Sequence, residues 1–177
     1  MSGLFGGGNN STVTPVTGLN IQTSANGLPI PLVYGTTVVT PNLLWYGDFN
    51  AVAQSQSSGG KGGSQTTGYL YNASFILALC EGPVSGVLTA YINKAVASPS
   101  TYFSIFTGTY PQTPWGYLSS NHAAQAIGYQ GIAYAAAAAY SLGSSASLPQ
   151  HSFEVAGLKI LSGSSDADPK DVLNRPG

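Results

Sequence analysis

The stretch Tyr69-Leu70-Tyr71-Asn72-Ala73-Ser74-Phe75-Ile76-Leu77-Ala78-Leu79-Cys80 constrains the fold more than any other. It opens with alternation, Tyr69, Tyr71 and Ala73 on one side against Leu70, Asn72 and Ser74 on the other. It closes in an unbroken apolar run from Phe75 to Cys80. That change of pattern predicts a strand covered on one face at its start and on both at its end. Gly82-Pro83, after Glu81, must stop it, since Pro83 has no N–H for a ladder and restricts Gly82. Before it lies Gly59-Gly60-Lys61-Gly62-Gly63, a loop almost without side chains that can approach another surface closely.

The rest of the chain also reads as β. Residues 13–22 alternate loosely as a first strand, Asn26-Gly27 signals a turn, and Ile30 to Gly35 reads as an edge strand because of Pro31. Thr36 to Thr40 continues β, and Leu43-Leu44-Trp45-Tyr46 forms the next strand. Residues 50–67 are low-complexity Gln/Ser/Gly and are expected to be a loop. Val84 to Asn93 alternates and joins the central strand through a hairpin or a corner. A short strand is expected near Tyr102 to Phe106, then a short helix from Pro114 and Trp115 to Ile127 through His122.

The five alanines Ala135 to Ala139 favour helix by propensity. Gly131 and the flanking tyrosines favour a strand of small residues against which another backbone packs closely, and strand is the reading adopted for 133–140. The competing reading is one helix from His122 to Leu142, with Gly128 and Gly131 inside it. Phe153-Glu154-Val155 is expected to pair with Leu158-Lys159-Ile160 across Ala156-Gly157. In the tail, Asp168 can cap a short helix with Pro169 at its first position. The same Asp166-Ala167-Asp168 run lacks the glycine and terminal Glu of a calcium loop. The fold class is therefore mainly β: small sheets or a barrel-like domain, with one short helix and long Gly/Ser-rich loops. The expected division is a flexible arm and first strand over 1–27, a β-rich domain over 28–160 with the loop at 50–67, and a tail over 161–177.

Charged residues make up 6% of the 177, against about 25% in an ordinary soluble domain. A surface so poor in charge predicts a protein that spends its life covered by partners. The net charge is -1 without a Lys/Arg cluster, which argues against a nucleic-acid groove. No stretch is long enough to span a bilayer. The start Met1-Ser2-Gly3-Leu4-Phe5 lacks a basic n-region, so synthesis in the cytoplasm is expected.

Candidate chemistry is sparse. Lys61 invites a phosphate-loop reading, but Gly62 stands where Ser or Thr is needed, and a strand follows where a helix is needed. Cys80 is a buried hydrophobe rather than a nucleophile. His122 and His151 have no partner at metal-ligand spacing. Glu81 lacks the second carboxylate or nucleophile of a general acid. No enzyme activity, cofactor or metal is expected. Trp45, Tyr46 and Phe49 with Asp48 suggest either a sugar-stacking platform or a core or subunit contact.

Several of these pieces together resemble a known family. Leu28-Pro29-Ile30-Pro31-Leu32-Val33-Tyr34-Gly35 and Asn42-Leu43-Leu44-Trp45-Tyr46-Gly47-Asp48-Phe49 come first, then Gly-Gly-Lys-Gly-Gly and the central strand into Cys80-Glu81-Gly82-Pro83-Val84. Phe106-Thr107-Gly108-Thr109, Tyr129-Gln130-Gly131-Ile132-Ala133-Tyr134 and Ser152-Phe153-Glu154-Val155 follow. In this order they resemble the tail-hub, or tail-tip, proteins of the host-specificity type in long-tailed bacteriophages and gene transfer agents. The resemblance implies a structural virion protein at the tail tip, in a ring, commonly threefold, that closes the tail tube and leads to host-attachment parts. It implies the distal tail protein, the tape-measure protein and other tail-tip proteins as partners. Gly59, Gly60, Lys61, Gly62, Gly63, Trp45, Asp48, Phe49, Glu81, Gly82 and Pro83 are the candidate assembly residues. Family chains are usually much longer, so this one reads as a minimal hub or one part of a split hub. A carbohydrate-binding or adhesin β module is the alternative, resting on the aromatics and polar loops.

Overall fold

The computed structural model describes residues 13–20, 29–56 and 65–158. It contains two four-stranded antiparallel sheets and no closed barrel. The first has the order β1-β8-β4-β5, with β1 Thr36–Val39, β4 Gly86–Ile92, β5 Ala95–Ala97 and β8 His151–Ala156. The second has the order β2-β3-β7-β6, with β2 Asn42–Gln56, β3 Gln65–Glu81, β6 Ser104–Thr107 and β7 Ile132–Gly143. Helices α1, Pro99–Tyr102, and α2, Gly116–Asn121, are short, and a 3-10 turn at Ala123–Gln125 follows α2.

The central strand is β3, and its sequence pattern follows from what covers it. Phe75, Leu77 and Leu79 point into the core between the sheets, where they meet Val39, Phe153, Val155 and Ala90. Ile76, on the opposite face, lies under Trp115 and Leu118 of the α2 layer. Both faces are therefore dry, and alternation disappears. Nearer its start, Tyr71 and Ala73 pack with Leu19, Leu142 and Ala146, while Leu70 is exposed.

The alanine run is a strand. Its register explains the residue size: Phe75 lies opposite Ala137, Ile76 opposite Ala136 and Leu77 opposite Ala135. Large side chains on β3 fill the space beside small ones on β7, and this packing outweighs the helix preference of alanine.

Other expectations change. Residues 50–56 and 65–67, expected as loop, belong to the β2–β3 pair, which runs out to Gln56 opposite Gln65. Within that pair Val52, Ala53, Gln54 and Ser55 are exposed, which suits the polar composition of the end of β2. In the stretch read as a first strand, the described residues 13–20 carry one bridge, Asn20 to Ser147. Ile30 to Gly35 makes isolated parallel bridges through Leu32 and Tyr34 rather than an edge strand. The helix expected up to Ile127 ends at Asn121, and α1 was not anticipated.

The hairpin expected across Ala156-Gly157 does not form. Phe153-Glu154-Val155 lies in β8, between β1 and β4, while Leu158 bridges Tyr34. Gly157 cannot turn away, because its Cα sits against the Val33 carbonyl, where a Cβ would come within 2.2 Å of the oxygen. Strand β5 was also missed. It returns from β4 through Asn93 and Lys94, both at positive φ, a geometry suited to a two-residue hairpin turn. The link from β3 to β4 is a corner, carrying the chain from one sheet to the other.

Candidate functional site

Trp45 and Asp48 sit on β2 where its pairing with β3 slips, between Gly47 opposite Ser74 and Asn50 opposite Asn72. The slip is a bulge with Asp48 at φ 51, which re-aims its carboxylate. Gly47 has no Cβ to clash with the Trp45 indole, which would lie 2.7 Å from it. The indole Nε1 donates to Gln125 Oε1 at 2.6 Å, and the ring meets Trp115 and His122 edge-on.

A chain of hydrogen bonds runs from β7 to this bulge. The Ala139 N–H donates to Ser74 Oγ at 3.0 Å, Ser74 donates to the Tyr117 hydroxyl at 3.2 Å, and Tyr117 donates to Asp48 Oδ2 at 2.7 Å. His122 Nε2 lies 3.0 Å from the same carboxylate oxygen. The Tyr117 hydrogen bond, helped by His122, holds the Asp48 carboxyl below the usual carboxylate range. Ala139 is itself at positive φ, opposite a slip in the β3–β7 register. Two bulges thus flank Ser74, one on each neighbouring strand.

An Asp, a His and a Ser in one network suggest nucleophilic catalysis, but the directions of the bonds oppose it. Ser74 is fully buried, and its hydroxyl is directed at Tyr117, not at His122. The network fastens the α2 layer to the sheet. Among the described residues no group of three or more His, Cys, Asp or Glu side chains could hold a metal ion, and no helix is long and apolar enough to cross a membrane.

The aromatic platform is not assembled. Phe49 stacks on Tyr71 at 5.6 Å in a separate apolar cluster, while Trp45 belongs to the α2 layer. Tyr46 is exposed.

Glu81, Gly82 and Pro83 form the corner. The Glu81 N–H donates to the Pro31 carbonyl, Gly82 to Gly131, Val84 to Thr107 and Ser85 to Ala156. Gly82 lies against Gly108, so that a Cβ on Gly82 would come within 2.6 Å of the Gly108 Cα. Segments that the sequence places far apart meet here backbone to backbone. The Glu81 side chain is exposed. Burial, then the neighbouring Glu81 charge, pushes the Cys80 thiol up to about 11, so it stays a thiol.

Gln112, which sequence reasoning missed, ties this corner together from the inside. Its Oε1 accepts from the Gly108 N–H at 2.8 Å, and its Nε2 faces the carbonyls of Gly128, Tyr129 and Ile132 at 3.0 to 3.1 Å. A lone Gln in a turn-rich stretch gives no sequence signal for this role.

Gly59, Gly60, Lys61, Gly62 and Gly63 lie outside the described residues, as do 1–12, Asn26-Gly27 and the tail 161–177. Partnering of β3 with β7 begins at Tyr71 opposite Gly143, so residues 65–70 pair with β2 alone as a two-stranded ribbon.

No protein-family model matches the sequence, and no curated protein matches it. A solved structure described as "Virion of native gene transfer agent (GTA) particle" contains a chain similar to this one. The two are 21% identical with a TM-score of 0.59, over 97% of this chain and 36% of that one. The likeness is one of fold, and this chain spans about a third of the length of its structural neighbour.

Proposed function

We propose that this protein is a structural, non-enzymatic virion subunit of a phage or gene-transfer-agent tail, and within the tail a hub component at the tip. The observation that carries the proposal is the likeness of nearly the whole chain to a chain of a gene-transfer-agent virion. The ordered motif series of the tail-hub family supports it. In this reading the subunits form a ring, threefold in symmetry, which closes the tail tube and meets the distal tail ring, the tape-measure protein and the host-attachment parts. It is made in the host cytoplasm and ends in the virion. The domain division at 28 and 160 follows the same reading.

The β2–β3 ribbon presents the loop around Lys61 to a ring neighbour. An isolated two-stranded ribbon is marginal in water, so contact with another subunit would stabilise it. Trp45 and Asp48 keep the α2 layer in place, and the Glu81-Gly82-Pro83 corner holds the two sheets in register for that contact. The alternative, a carbohydrate-binding or adhesin β module resting on the aromatics and the polar loops, is less favoured by the packing of Trp45 and Phe49 in different clusters.

Immunogold labelling of purified tails tests the location: label at the tip is expected, and label elsewhere or none overturns the hub assignment. Deleting 59–63 tests the loop separately. The protein should stay folded while tail assembly fails, and normal tails carrying the deletion would remove the loop from the interface.

A further inference from the structure

Strand β8 is held on both sides for only part of its length. Phe153 to Ala156 pair with β1 and with β4, whereas His151 and Ser152 pair with β4 alone, opposite Ile92 and Tyr91. Just before them, Gln150 is tied to the β4–β5 turn. The Asn93 N–H donates to the Gln150 carbonyl at 2.8 Å, and the Gln150 N–H donates to Asn93 Oδ1 at 3.0 Å. Further back the chain is fixed again, where Ser147 bridges Asn20. Residues 148–152 thus form a short span, anchored at both ends and laddered on one side.

The side chain of His151 enters the core from this span. Its ring meets Phe75 of β3, Phe103 between α1 and β6, Tyr140 of β7 and Phe153 of β8, with ring centroids 5.6 to 6.4 Å away. Nε2 lies 3.3 Å from the Tyr140 hydroxyl, and Nδ1 has no well-formed hydrogen bond. An imidazolium here would find no counter-charge among the described residues. Tyr140 is the titratable group in ring contact, with the exposed Tyr102 of α1 beyond it. Glu154 points to the other face of β8 and accepts from Thr89, Asp48 accepts from Tyr117 in the α2 layer, and Glu81 is exposed at the corner. Lys94, next to Asn93, is exposed and carries the same sign as the imidazolium. A buried charge without a partner is costly. The shortest route to water breaks the one-sided end of β8 and the two Asn93–Gln150 hydrogen bonds.

We propose that residues 148–152 are an acid-opened flap: protonation of His151 swings this span away from Asn93 and opens the aromatic end of the core, while Phe153 to Ala156 stay between β1 and β4. The flap does not depend on the tail-tip assignment, since it rests on one side chain and the ladder around it. Burial holds the His151 pKa at about 4 in the closed form, against 6.5 for a ring in water. Opening is therefore favoured by about tenfold for each pH unit below 6.5, and by on the order of a hundredfold across the window.

Amide hydrogen exchange of the full chain, corrected for the chemical rate at each pH, reads the flap through the Asn93 and Gln150 amides. Their protection is expected to fall by about tenfold per unit below pH 6.5. The fall should be insensitive to dilute urea, because a local opening exposes little surface. His151→Phe, which suits the ring cage, should abolish the pH dependence. Asn93→Gly keeps the positive φ but loses the Oδ1 acceptor, and should raise opening at every pH with the same slope. The His151 ring resonance of the unsubstituted chain, followed by NMR, needs no variant and should titrate in step with the loss of protection. Protection that ignores pH, or a slope that survives in His151→Phe, would overturn the proposal. So would His151 titrating near 6.5 with both amides still protected, since the rings would then hold the cation in place. A pH-dependent loss with the full urea sensitivity of global unfolding would show that the fold opens as a whole and that no flap exists.

Discussion

His151 is buried at 4% exposure among Phe75, Phe103, Tyr140 and Phe153. Its Nδ1 has no well-formed hydrogen bond, and Nε2 lies 3.3 Å from the Tyr140 hydroxyl. Burial pushes its pKa down to about 4 against the weaker upward pull of the Pro149 carbonyl. The folded state therefore resists a proton that the unfolded chain accepts near pH 6.5. Stability is full above that value and falls as pH drops from about 6.5 to about 4, by on the order of 3 kcal/mol in total. Thermal unfolding across that window should show the loss, and His151→Leu should flatten it. The Asp48 contribution has the same direction but a lower window, below the ordinary carboxylate value of 3.8. Gln112 supplies a second test at this scale. Gln112→Ala removes a buried acceptor from the Gly108 N–H and a donor from three carbonyls, and should cost roughly 2–4 kcal/mol in denaturant unfolding. Gln112→Glu puts an anion before those carbonyls. It should also destabilise at neutral pH, with partial recovery in acid as the carboxyl regains a proton to donate.

At the scale of elements, the corner after β3 depends on two glycines in contact. Gly82→Ala would drive a methyl into the Gly108 backbone and the Thr107 carbonyl, and backbone there cannot give way as a flexible side chain would. We expect a loss of roughly 1–3 kcal/mol or more by overpacking, measured as a shifted unfolding midpoint, and a similar loss for Gly108→Ala, whose φ of +80 adds strain. The importance of Glu81-Gly82-Pro83 was legible in the sequence as a stop, but its contact with Gly108 was not, because nothing local encodes which backbone will arrive. The Ala135 to Ala139 strand was legible because the flanking Gly131 and tyrosines spoke against a helix. The path of Phe153-Glu154-Val155 was misread for the opposite reason: Ala156-Gly157 looks like a turn, while the glycine is needed for close approach to Val33. The Asp48–His122 pair joins residues 74 positions apart, beyond what motif spacing can reveal. The bulges flanking Ser74 leave no sequence mark beyond a short polar break in β2.

At the scale of the whole molecule, the scarcity of charge coexists with exposed Leu88, Val96, Tyr110 and Ile127. Contacts built on such a surface are apolar and neutral-polar, so little in them is open to screening. An assembly of this chain should sediment alike from about 0.05 to 1 M NaCl, and dissociation by salt would show that ion pairs hold it. Strand β8 sets another property, one of timing. It lies between β1 and β4 and is the only described strand that joins them. The partners of β1 lie more than a hundred positions downstream, a separation that slows closure. During synthesis the first sheet therefore waits for residues 151–156, and until they emerge Phe75, Leu77 and Leu79 lack the Phe153 and Val155 side of their core. A chain ended at residue 150 should be cut rapidly by protease along its length, and adding residues 151–158 should restore resistance in one step. The last strand acts as a latch, keeping the growing chain from a finished core until nearly all of the described fold exists.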